Sequence, residues 1–273
     1  MITPIKSLEV YNRSMAQSVR DKLFFVDKVD ACVYVDYGCA DGTLLACLYA
    51  INADCDLNGE KRRYIGYDKS EEMIRLAKSR WSGSDYVIFT SDWNEVMSAV
   101  HDIVKDDPSE RPSCIIFSSV LHEIFSDKTI NQGAFWYHVQ EWGFNYIAVR
   151  DMATSNLVEN GRDIPGVGYY LRAKYEEMAK DFEKEYGDLC IRKNAIHFLL
   201  KYRWTANWQR ELAENYLALN PAIMISQLST SGYSLIFHDA FALPYLENVV
   251  KKETEISLSR LGPTHIKSIF KRN

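Results

Sequence analysis

The sequence lacks the cysteine spacings that mark a zinc site or a disulfide framework. Its six cysteines include no C-x-x-C pair, and most of them lie within apolar runs. Free thiols in such runs behave as small buried hydrophobic side chains, which is typical of a protein of the reducing cytoplasm. We therefore predict a cytoplasmic protein without a metal site, in which no disulfide joins Cys32, Cys39, Cys47, Cys55, Cys114 and Cys190.

Long apolar runs and an excess of basic residues are also missing. No run reaches the roughly 18 apolar residues that span a bilayer, and residues 1–8 lack the continuous apolar core of a secretory signal. The 37 acidic residues outnumber the 32 basic ones, which gives a formal net charge of −5. The sequence therefore predicts no membrane partner and does not favour binding of long nucleic acid, although a local basic face stays open as an alternative.

What the first 152 residues do contain is a regular alternation of strand-like and helix-like segments. The helix-like stretches are Ser70–Lys78, Asn94–Val104 and Asp127–Glu141, and the first of them begins with a capping serine. Such alternation predicts an α/β fold in which a parallel sheet is covered by helices on both faces. The strand-like runs are Ala31–Tyr37, Arg63–Asp68, Tyr86–Thr90, Ser113–Val120 and Asn145–Met152.

The alternation stops after residue 152. Residues 153–168 are polar and carry three glycines, which predicts a loop, and residues 169–220 look helical over two or three segments. Strand-like signal returns at Gly232–Phe241 and Thr264–Lys271, with a mostly helical stretch between them. We therefore predict one domain made of residues 1–152 and 228–273, with residues 153–227 inserted before the last two strands as a helical substrate cap.

A glycine turn joins the first predicted strand to the helix that follows. Gly38 and Gly42 allow a sharp turn and a close approach of the backbone to a ligand. Asp36 ends the strand, and a carboxylate there would repel a pyrophosphate but attract a cationic, amine-bearing ligand. The spacing of the two glycines also differs from the G-x-G-x-x-G of NAD-binding loops. The turn thus favours S-adenosylmethionine (SAM) over NAD, and a plain strand-to-helix turn is the alternative.

Acidic residues also follow the next two predicted strands. Asp68 ends the second strand, where an acid can accept from both ribose hydroxyls but can equally cap the next helix. Asp92 and Trp93 follow the third strand, where an acid can accept from an adenine amino group and an aromatic ring can cover the base. Helix capping is again the alternative for Asp92. Because the carboxyl ends of parallel strands share one edge, we expect these side chains to line one cofactor site.

A serine-histidine motif follows the fourth predicted strand. Ser118 and Ser119 are followed, after two apolar residues, by His122 and Glu123. Imidazole titrates near neutral pH, so a histidine beside a carboxylate at the end of a strand is a candidate general base. Packing on the cofactor or capping of a helix is the alternative for His122.

Together, the series Asp36-x-Gly38-x-Ala40-x-Gly42, Asp68, Asp92 and Ser118–His122 resembles the class I SAM-dependent methyltransferases over residues 31–152. The resemblance implies a Rossmann-like, mainly parallel sheet of seven strands whose last strand runs antiparallel. It also implies that these positions bind, in chain order, the methionine end of SAM, the ribose, the adenine and the boundary with the acceptor. Ala40 departs from the pattern, because glycine is commoner there. The cofactor-binding residues so implied are Asp36, Gly38, Cys39, Ala40, Gly42, Asp68, Lys69, Met73, Ser91, Asp92, Trp93, Ser118 and Ser119.

The resemblance implies an enzyme of the EC 2.1.1 class that uses SAM and releases S-adenosylhomocysteine (SAH). The fourth-strand motif lacks the Asp/Asn-Pro-Pro-aromatic signature of base amino methylation and the Pro-Cys dipeptide of a cysteine nucleophile. The favoured acceptor is therefore an oxygen or nitrogen of a small molecule, with His122, Glu123 and His197 as candidate catalytic residues. An RNA or protein methyltransferase and a non-catalytic partner protein are the alternatives. Tyr11 and Met15, before the sheet, are candidates to close over the cofactor, and core packing is the alternative for either residue.

The predicted cap contains a basic and aromatic stretch, Arg192–Trp204. It predicts either a pocket wall for an anionic or phosphorylated small molecule or an amphipathic helix with a solvated basic face. In the alternative of an RNA reader, Lys193, Lys201 and Arg203 would form a basic groove beside the cofactor.

Overall fold

The structure, a computed structural model, describes residues 19, 21–52, 56–57, 60–81, 85–105, 110–155, 158, 161 and 163–273. Tyr11, Met15 and Cys55, about which the sequence makes predictions, lie outside the described residues. Within these ranges, no helix combines the length and the apolar character that crossing a membrane requires.

The described strands form one sheet of seven and one of two. In the large sheet the order is β5-β4-β1-β6-β7-β9-β8, and the first five of these strands are parallel. β9 runs antiparallel to both β7 and β8, which confirms the predicted direction of the last strand. The strands are β1 (Val33–Tyr37), β2 (Asp56–Leu57), β3 (Glu60–Lys61), β4 (Arg63–Tyr67), β5 (Val87–Thr90), β6 (Ser113–Ser118), β7 (Tyr146–Met152), β8 (Tyr233–Phe241) and β9 (His265–Arg272), of which β2 and β3 pair separately.

Helices follow the strands in the predicted order, with differences at two places. The helix predicted over Asp127–Glu141 begins only at Gln132, because Asn131 caps it by accepting from the N–H of Ala134 at 3.0 Å. The predicted loop over 153–168 ends early, since Pro165 occupies a first-turn position where its missing N–H is not needed. The helices are α1 (Thr43–Ile51), α2 (Glu71–Arg80), α3 (Trp93–Val104), α4 (Leu121–Ser126), α5 (Gln132–Glu141), α6 (Pro165–Lys174), α7 (Glu176–Tyr186), α8 (Arg192–Lys201), α9 (Trp208–Ala213), α10 (Pro221–Thr230), α11 (Pro244–Thr254) and α12 (Leu258–Leu261).

The central strands bury both of their faces, which is why they read as continuous apolar runs rather than alternating ones. In β1, Val33 and Val35 pack in one core, whereas Tyr34 between them packs in another core on the opposite face. In β6, Ile115 and Ile116 divide between the same two cores. The α/β fold with helices on both faces is therefore confirmed.

A third core lies in the predicted cap, and α8 is at its centre. Every residue from 195 to 201 is buried. Val250 of α11 and Leu258 of α12 also belong to this core, so the connection between β8 and β9 packs into the cap. The predicted boundary at residue 227 falls inside α10, whose Met224 and Leu228 pack in the sheet core. The division into domain and cap stays a prediction.

Candidate functional site

The glycine turn after β1 has the backbone conformation that its sequence predicts. Gly38 has φ +82° and Gly42 has φ +77°, and Ala40 between them is also in the left-handed region with φ +46°. A Cβ on Gly38 would lie 2.6 Å from the Val120 side chain, and one on Gly42 would lie 2.5 Å from the Phe89 ring. These neighbours are protein side chains, so the two glycines set the shape of the turn by fitting it against β5 and the segment after β6.

A pocket opens between this turn and the segment before β1. Asp36 is 3% exposed within it, and burial raises the pKa of its carboxyl to about 7, with Asp68 raising it further and Lys22 lowering it. A buried carboxyl of this kind can bind a cationic group of a ligand. The pocket is lined by five of the predicted cofactor-binding residues together with Lys22: Asp36, Gly38, Cys39, Ala40 and Ser118.

Asp68 ties the turns after β1 and β4 together. Its Oδ2 accepts from the N–H of Ala40 and its Oδ1 accepts from the N–H of Ser70, each at 2.9 Å. The cap of α2 is Ser70, whose Oγ accepts from the N–H of Met73. Helix capping therefore does not explain Asp68. Because a carboxylate oxygen accepts about two hydrogen bonds, each oxygen of Asp68 keeps room for a ligand hydroxyl.

The positions of Lys69, Met73 and Ser91 indicate a contact with a cofactor less directly than that of Asp68. Lys69 and Ser91 are exposed at the ends of β4 and β5, on the side of the sheet where Asp68 lies. Met73 is half-buried in the first turn of α2. Their predicted contacts with a cofactor stay predictions.

Asp92 and Trp93, the predicted adenine pair, both have protein partners in the structure, and their contact with a cofactor stays a prediction. Asp92 is exposed and caps α3, because its Oδ1 accepts from the N–H of Asn94 at 2.8 Å. The Trp93 ring lies in an aromatic cluster, 4.4 Å from Trp142 and 5.2 Å from Tyr37 between centroids. Capping accounts for one oxygen of Asp92, and packing accounts for the Trp93 ring.

Ser118 and Ser119 end β6 in two different environments. Ser118 lines the pocket, is 7% exposed, and its buried Oγ has no hydrogen-bond partner among the described residues. Buried polar groups normally have partners, so this hydroxyl indicates a ligand position. Ser119 has φ +59°, and its Oγ accepts from the buried guanidinium of Arg150 at 3.0 Å.

His122 forms a buried pair with Asp151, a residue at the end of β7 that the sequence analysis does not single out. The His122 Nδ1 lies 2.6 Å from Asp151 Oδ1. Burial alone would lower the pKa of His122, but Asp151 outweighs it, and the pKa is raised. Burial would raise the pKa of Asp151, but His122 and backbone N–H groups lower it. The pair therefore favours the protonated imidazole of His122 beside the ionised carboxyl of Asp151.

Glu123 is exposed beside this pair, and Glu214 lies near it. Burial raises the pKa of Glu214, and the charge of Glu123 raises it further while Arg210 and His122 lower it. Glu123 and Glu214 thus place acid charge next to His122. Among the described residues no cluster of histidine, cysteine and acidic side chains has the arrangement of a metal site.

His197, the third predicted catalytic residue, lies inside the cap. It is 3% exposed, and its Nε2 accepts from the N–H of Tyr216 at 3.1 Å. Burial lowers the pKa of His197 well below its ordinary value, and the charge of Lys201 lowers it further. A general base needs a lone pair that faces the acceptor, and in this structure the Nε2 lone pair of His197 is taken by the backbone.

In the part of the chain that the structure describes, Lys201 and Arg203 do not form the basic groove expected for an RNA reader. Lys201 is 0% exposed, and its Nζ donates to the backbone carbonyls of Glu211 and Glu214. Arg203 forms an ion pair with Glu253 at 3.2 Å. α8 is also not an amphipathic surface helix, because it is buried on all sides. The solvated basic face and the basic groove predicted for this stretch are therefore wrong, and the pocket wall for an anionic small molecule stays a prediction.

The residues that the sequence analysis missed are Lys22 and Asp151. Asp151 is an acid at the end of a strand, as Asp68 is, so the same rule applied to β7 would have found it. Lys22 carries no comparable signal, because it precedes the sheet in a segment without a motif.

Comparison with solved structures identifies the fold. The structure matches a candidate methyltransferase from Haloferax volcanii, solved in complex with the Trm112 methyltransferase activator, with a TM-score of 0.50 and 11% identity over 97% of this chain and 94% of that one. A candidate O-methyltransferase from Nostoc punctiforme also gives a TM-score of 0.50 and 11% identity, over 96% of this chain and 58% of that one. A SAM-dependent methyltransferase from Anabaena variabilis gives 0.48 and 13%, over 97% and 85%.

The two likenesses with a TM-score of 0.50 show the fold, which is an α/β Rossmann-like fold of the kind found in these methyltransferase structures. No protein-family model matches the sequence. A search of curated proteins likewise finds no match.

Proposed function

We propose that this protein is a SAM-dependent methyltransferase that transfers a methyl group to an oxygen or nitrogen of a small molecule. The observation that carries the proposal is the unpartnered, buried Oγ of Ser118 in a pocket that also holds the buried carboxyl of Asp36. Asp68 lies at the neighbouring strand end. In folds of this kind ligands bind at the carboxyl ends of the strands, where all three residues lie.

The residues of the pocket fit the cofactor in charge and in hydrogen-bonding capacity. Asp36 offers a carboxylate to an α-ammonium group, and Asp68 keeps acceptor capacity on both oxygens for the ribose. Ser118 offers a hydroxyl without a protein partner. Bound SAM would supply the electrophilic methyl group, and the protein would supply binding, orientation and exclusion of water.

The pair of His122 and Asp151 would fix the position of the backbone beside the pocket. Asp151 Oδ2 accepts from the N–H groups of Val120 and Leu121 at 2.9 and 2.7 Å, so it fixes the segment that follows Ser118. Because Asp151 raises the pKa of His122, the pair favours the protonated imidazole, which would donate a proton rather than accept one. Removal of a proton from the acceptor would then fall to another group, and Glu123 is the predicted residue that is exposed beside the pair.

Isothermal titration with SAH tests the cofactor part of the proposal. We expect the unmodified protein to bind SAH and Asp68→Asn to bind it about 10–100-fold more weakly, which is the usual effect of removing a charged hydrogen-bond acceptor. Asp102→Asn, at an exposed acid on α3, is the matched control and should leave the affinity unchanged. Absence of SAH binding by the unmodified protein would refute the proposal.

The acceptor is tested by incubating the protein with SAM and panels of phenols, carboxylic acids and amines, with SAH release followed by mass spectrometry. Total RNA and a denatured protein extract serve as the competing panels. We expect SAH release with a small-molecule panel, because the basic groove of an RNA reader is missing from the described cap. Release with the RNA or protein panel alone would overturn the small-molecule assignment.

A further inference from the structure

Lys22 is a buried cation in the pocket that holds Asp36. Lys22 is 4% exposed, and it lines the pocket together with Asp36 and Ser118. Among the described residues that line this pocket, Lys22 is the one cation. A lysine is almost never this buried without a specific reason, because moving its charge out of water is costly.

The residue before Lys22 anchors it to the sheet. Asp21 Oδ2 accepts from Arg150 Nε at 2.9 Å, and its other oxygen pairs with Lys267. Arg150 lies in β7 and Lys267 in β9, so Asp21 fastens the segment before β1 across two neighbouring strands. This anchor fixes where Lys22 enters the pocket.

The surroundings of Lys22 leave it charged at neutral pH. Burial and Arg150 lower its pKa to about 8, while the carboxylates of Asp36, Asp151 and Asp21 act in the opposite direction. A basic side chain, Lys22, and an acidic one, Asp36, thus line the same pocket beside the Ser118 hydroxyl, which has no partner among the described residues. An α-amino acid group carries the complementary pair of charges on one carbon atom.

We propose that Lys22 binds the α-carboxylate of the amino-acid end of the cofactor while Asp36 binds its α-ammonium group, with the Ser118 hydroxyl as a second donor to the carboxylate. The inference rests on the proposed function and names a specificity-determining residue within it. A site with Asp36 alone would strip water from the carboxylate without replacing it. Lys22 therefore makes the pocket selective for an intact amino-acid end over a simple amine.

Three ligands separate the two charges in isothermal titrations. SAH carries both the carboxylate and the ammonium group, its decarboxylated analogue S-adenosyl-3-thiopropylamine carries the ammonium group alone, and methylthioadenosine carries neither. We expect Lys22→Met to weaken SAH binding about 10–100-fold and to leave the other two ligands within about threefold. Asp36→Asn should weaken SAH and the amine but leave methylthioadenosine unchanged.

Controls keep the result independent of folding. Unchanged methylthioadenosine affinity shows that Lys22→Met is folded around the adenosine, and Lys22→Arg should retain most of the preference for SAH. Lys78→Met, at an exposed lysine on α2, should change nothing. Equal loss of SAH and amine binding in Lys22→Met, or no loss of SAH binding, would overturn the inference.

Dependence on pH gives a second readout. SAH affinity relative to the amine should fall above about pH 8 in the unmodified protein, where Lys22 loses its proton, and it should fall less in Lys22→Met, where only the amino groups of the ligands titrate. If the unmodified protein binds none of the three ligands, the proposed function fails. If it binds them without favouring SAH, only the role of Lys22 fails.

Discussion

The Nδ1 of His122 lies 2.6 Å from the carboxylate of Asp151, and both residues are almost completely buried. Asp151 also accepts from the N–H groups of Val120, Leu121 and Met152, so one carboxylate holds four donors. The acid thereby joins the end of β7 to the start of α4. The segment that carries Ser118 toward the pocket depends on this one side chain for its position.

Loss of the pair should destabilise the protein strongly. Asp151→Asn leaves buried donors unmatched, and we expect the free energy of unfolding to fall by about 3–5 kcal/mol, as for other broken buried ion pairs. His122→Gln is the milder variant, since Asp151 keeps its three backbone donors. His138→Gln removes the exposed pair of His138 with Glu141 and should cost less than about 1 kcal/mol. Urea unfolding measures all three, and equal losses for the buried and exposed pairs would contradict this account.

The same pair should make stability depend on pH in a defined window. The pKa of His122 is raised above its ordinary 6.5, so its contribution is complete below pH 6.5 and is lost as pH rises through the raised value. The pKa of Asp151 is lowered below 3.8, so its contribution is present above that pH and lost in acid. The difference in unfolding free energy between the unmodified protein and His122→Gln should therefore be largest at about pH 4–6.5 and shrink as the pH rises through the raised pKa of His122.

The acids at the strand ends were predictable from the sequence because each follows an apolar run. The common location of Asp36 and Asp68 follows from the rule that parallel strands present their carboxyl ends at one edge of the sheet. The sequence left two roles open for Asp92, and the structure shows its capping bond and the aromatic neighbours of Trp93, while the adenine role of both stays a prediction. The type of residue at a strand end indicates at which edge of the sheet its side chain lies, but it does not identify the group that the side chain binds.

Long-range partners explain what the sequence did not reveal. The stretch Arg192–Trp204 looked basic, yet His197 receives a backbone N–H from Tyr216, and Lys201 binds carbonyls of residues 211 and 214. These partners lie in α9 and after it, so the residue pattern within α8 alone does not predict them. Lys22 was missed for the same reason, since its pocket is completed by residues of β1 and β6.

The position of Gly38 should tolerate no side chain, and Gly232 provides a matched comparison. Both have positive φ, +82° and +85°, but a Cβ on Gly232 meets open space whereas one on Gly38 meets Val120 at 2.6 Å. We expect Gly232→Ala to cost about 1–2 kcal/mol for the left-handed backbone alone, and Gly38→Ala to cost a further ~1–3 kcal/mol for overpacking. Urea unfolding of both variants checks this. In a double-mutant cycle, Val120→Ala should relieve part of the Gly38→Ala loss, and strict additivity would refute the steric explanation.

Lys201 should make the cap more stable as the pH rises above neutrality. Burial lowers the pKa of Lys201 from 10.5 to about 7, against the opposing charges of Glu211, Glu214 and Glu185. Between those values the unfolded chain holds a proton that the folded chain has released, so stability rises with pH, and below about pH 7 the penalty of the buried charge is constant. Relative to Lys201→Met, the unmodified protein should gain on the order of 3 kcal/mol in unfolding free energy between pH 7 and 10.

Urea unfolding at pH 7, 8, 9 and 10 measures this difference, in which the titration of Lys22 cancels because both proteins contain it. Lys252→Met, at an exposed lysine of α11, should show no such trend. A difference that stays flat with pH would mean that the two backbone carbonyls and the rings of Tyr186 and Tyr216, whose centroids lie 4.8 and 4.7 Å from Nζ, stabilise the ammonium ion enough to offset its burial.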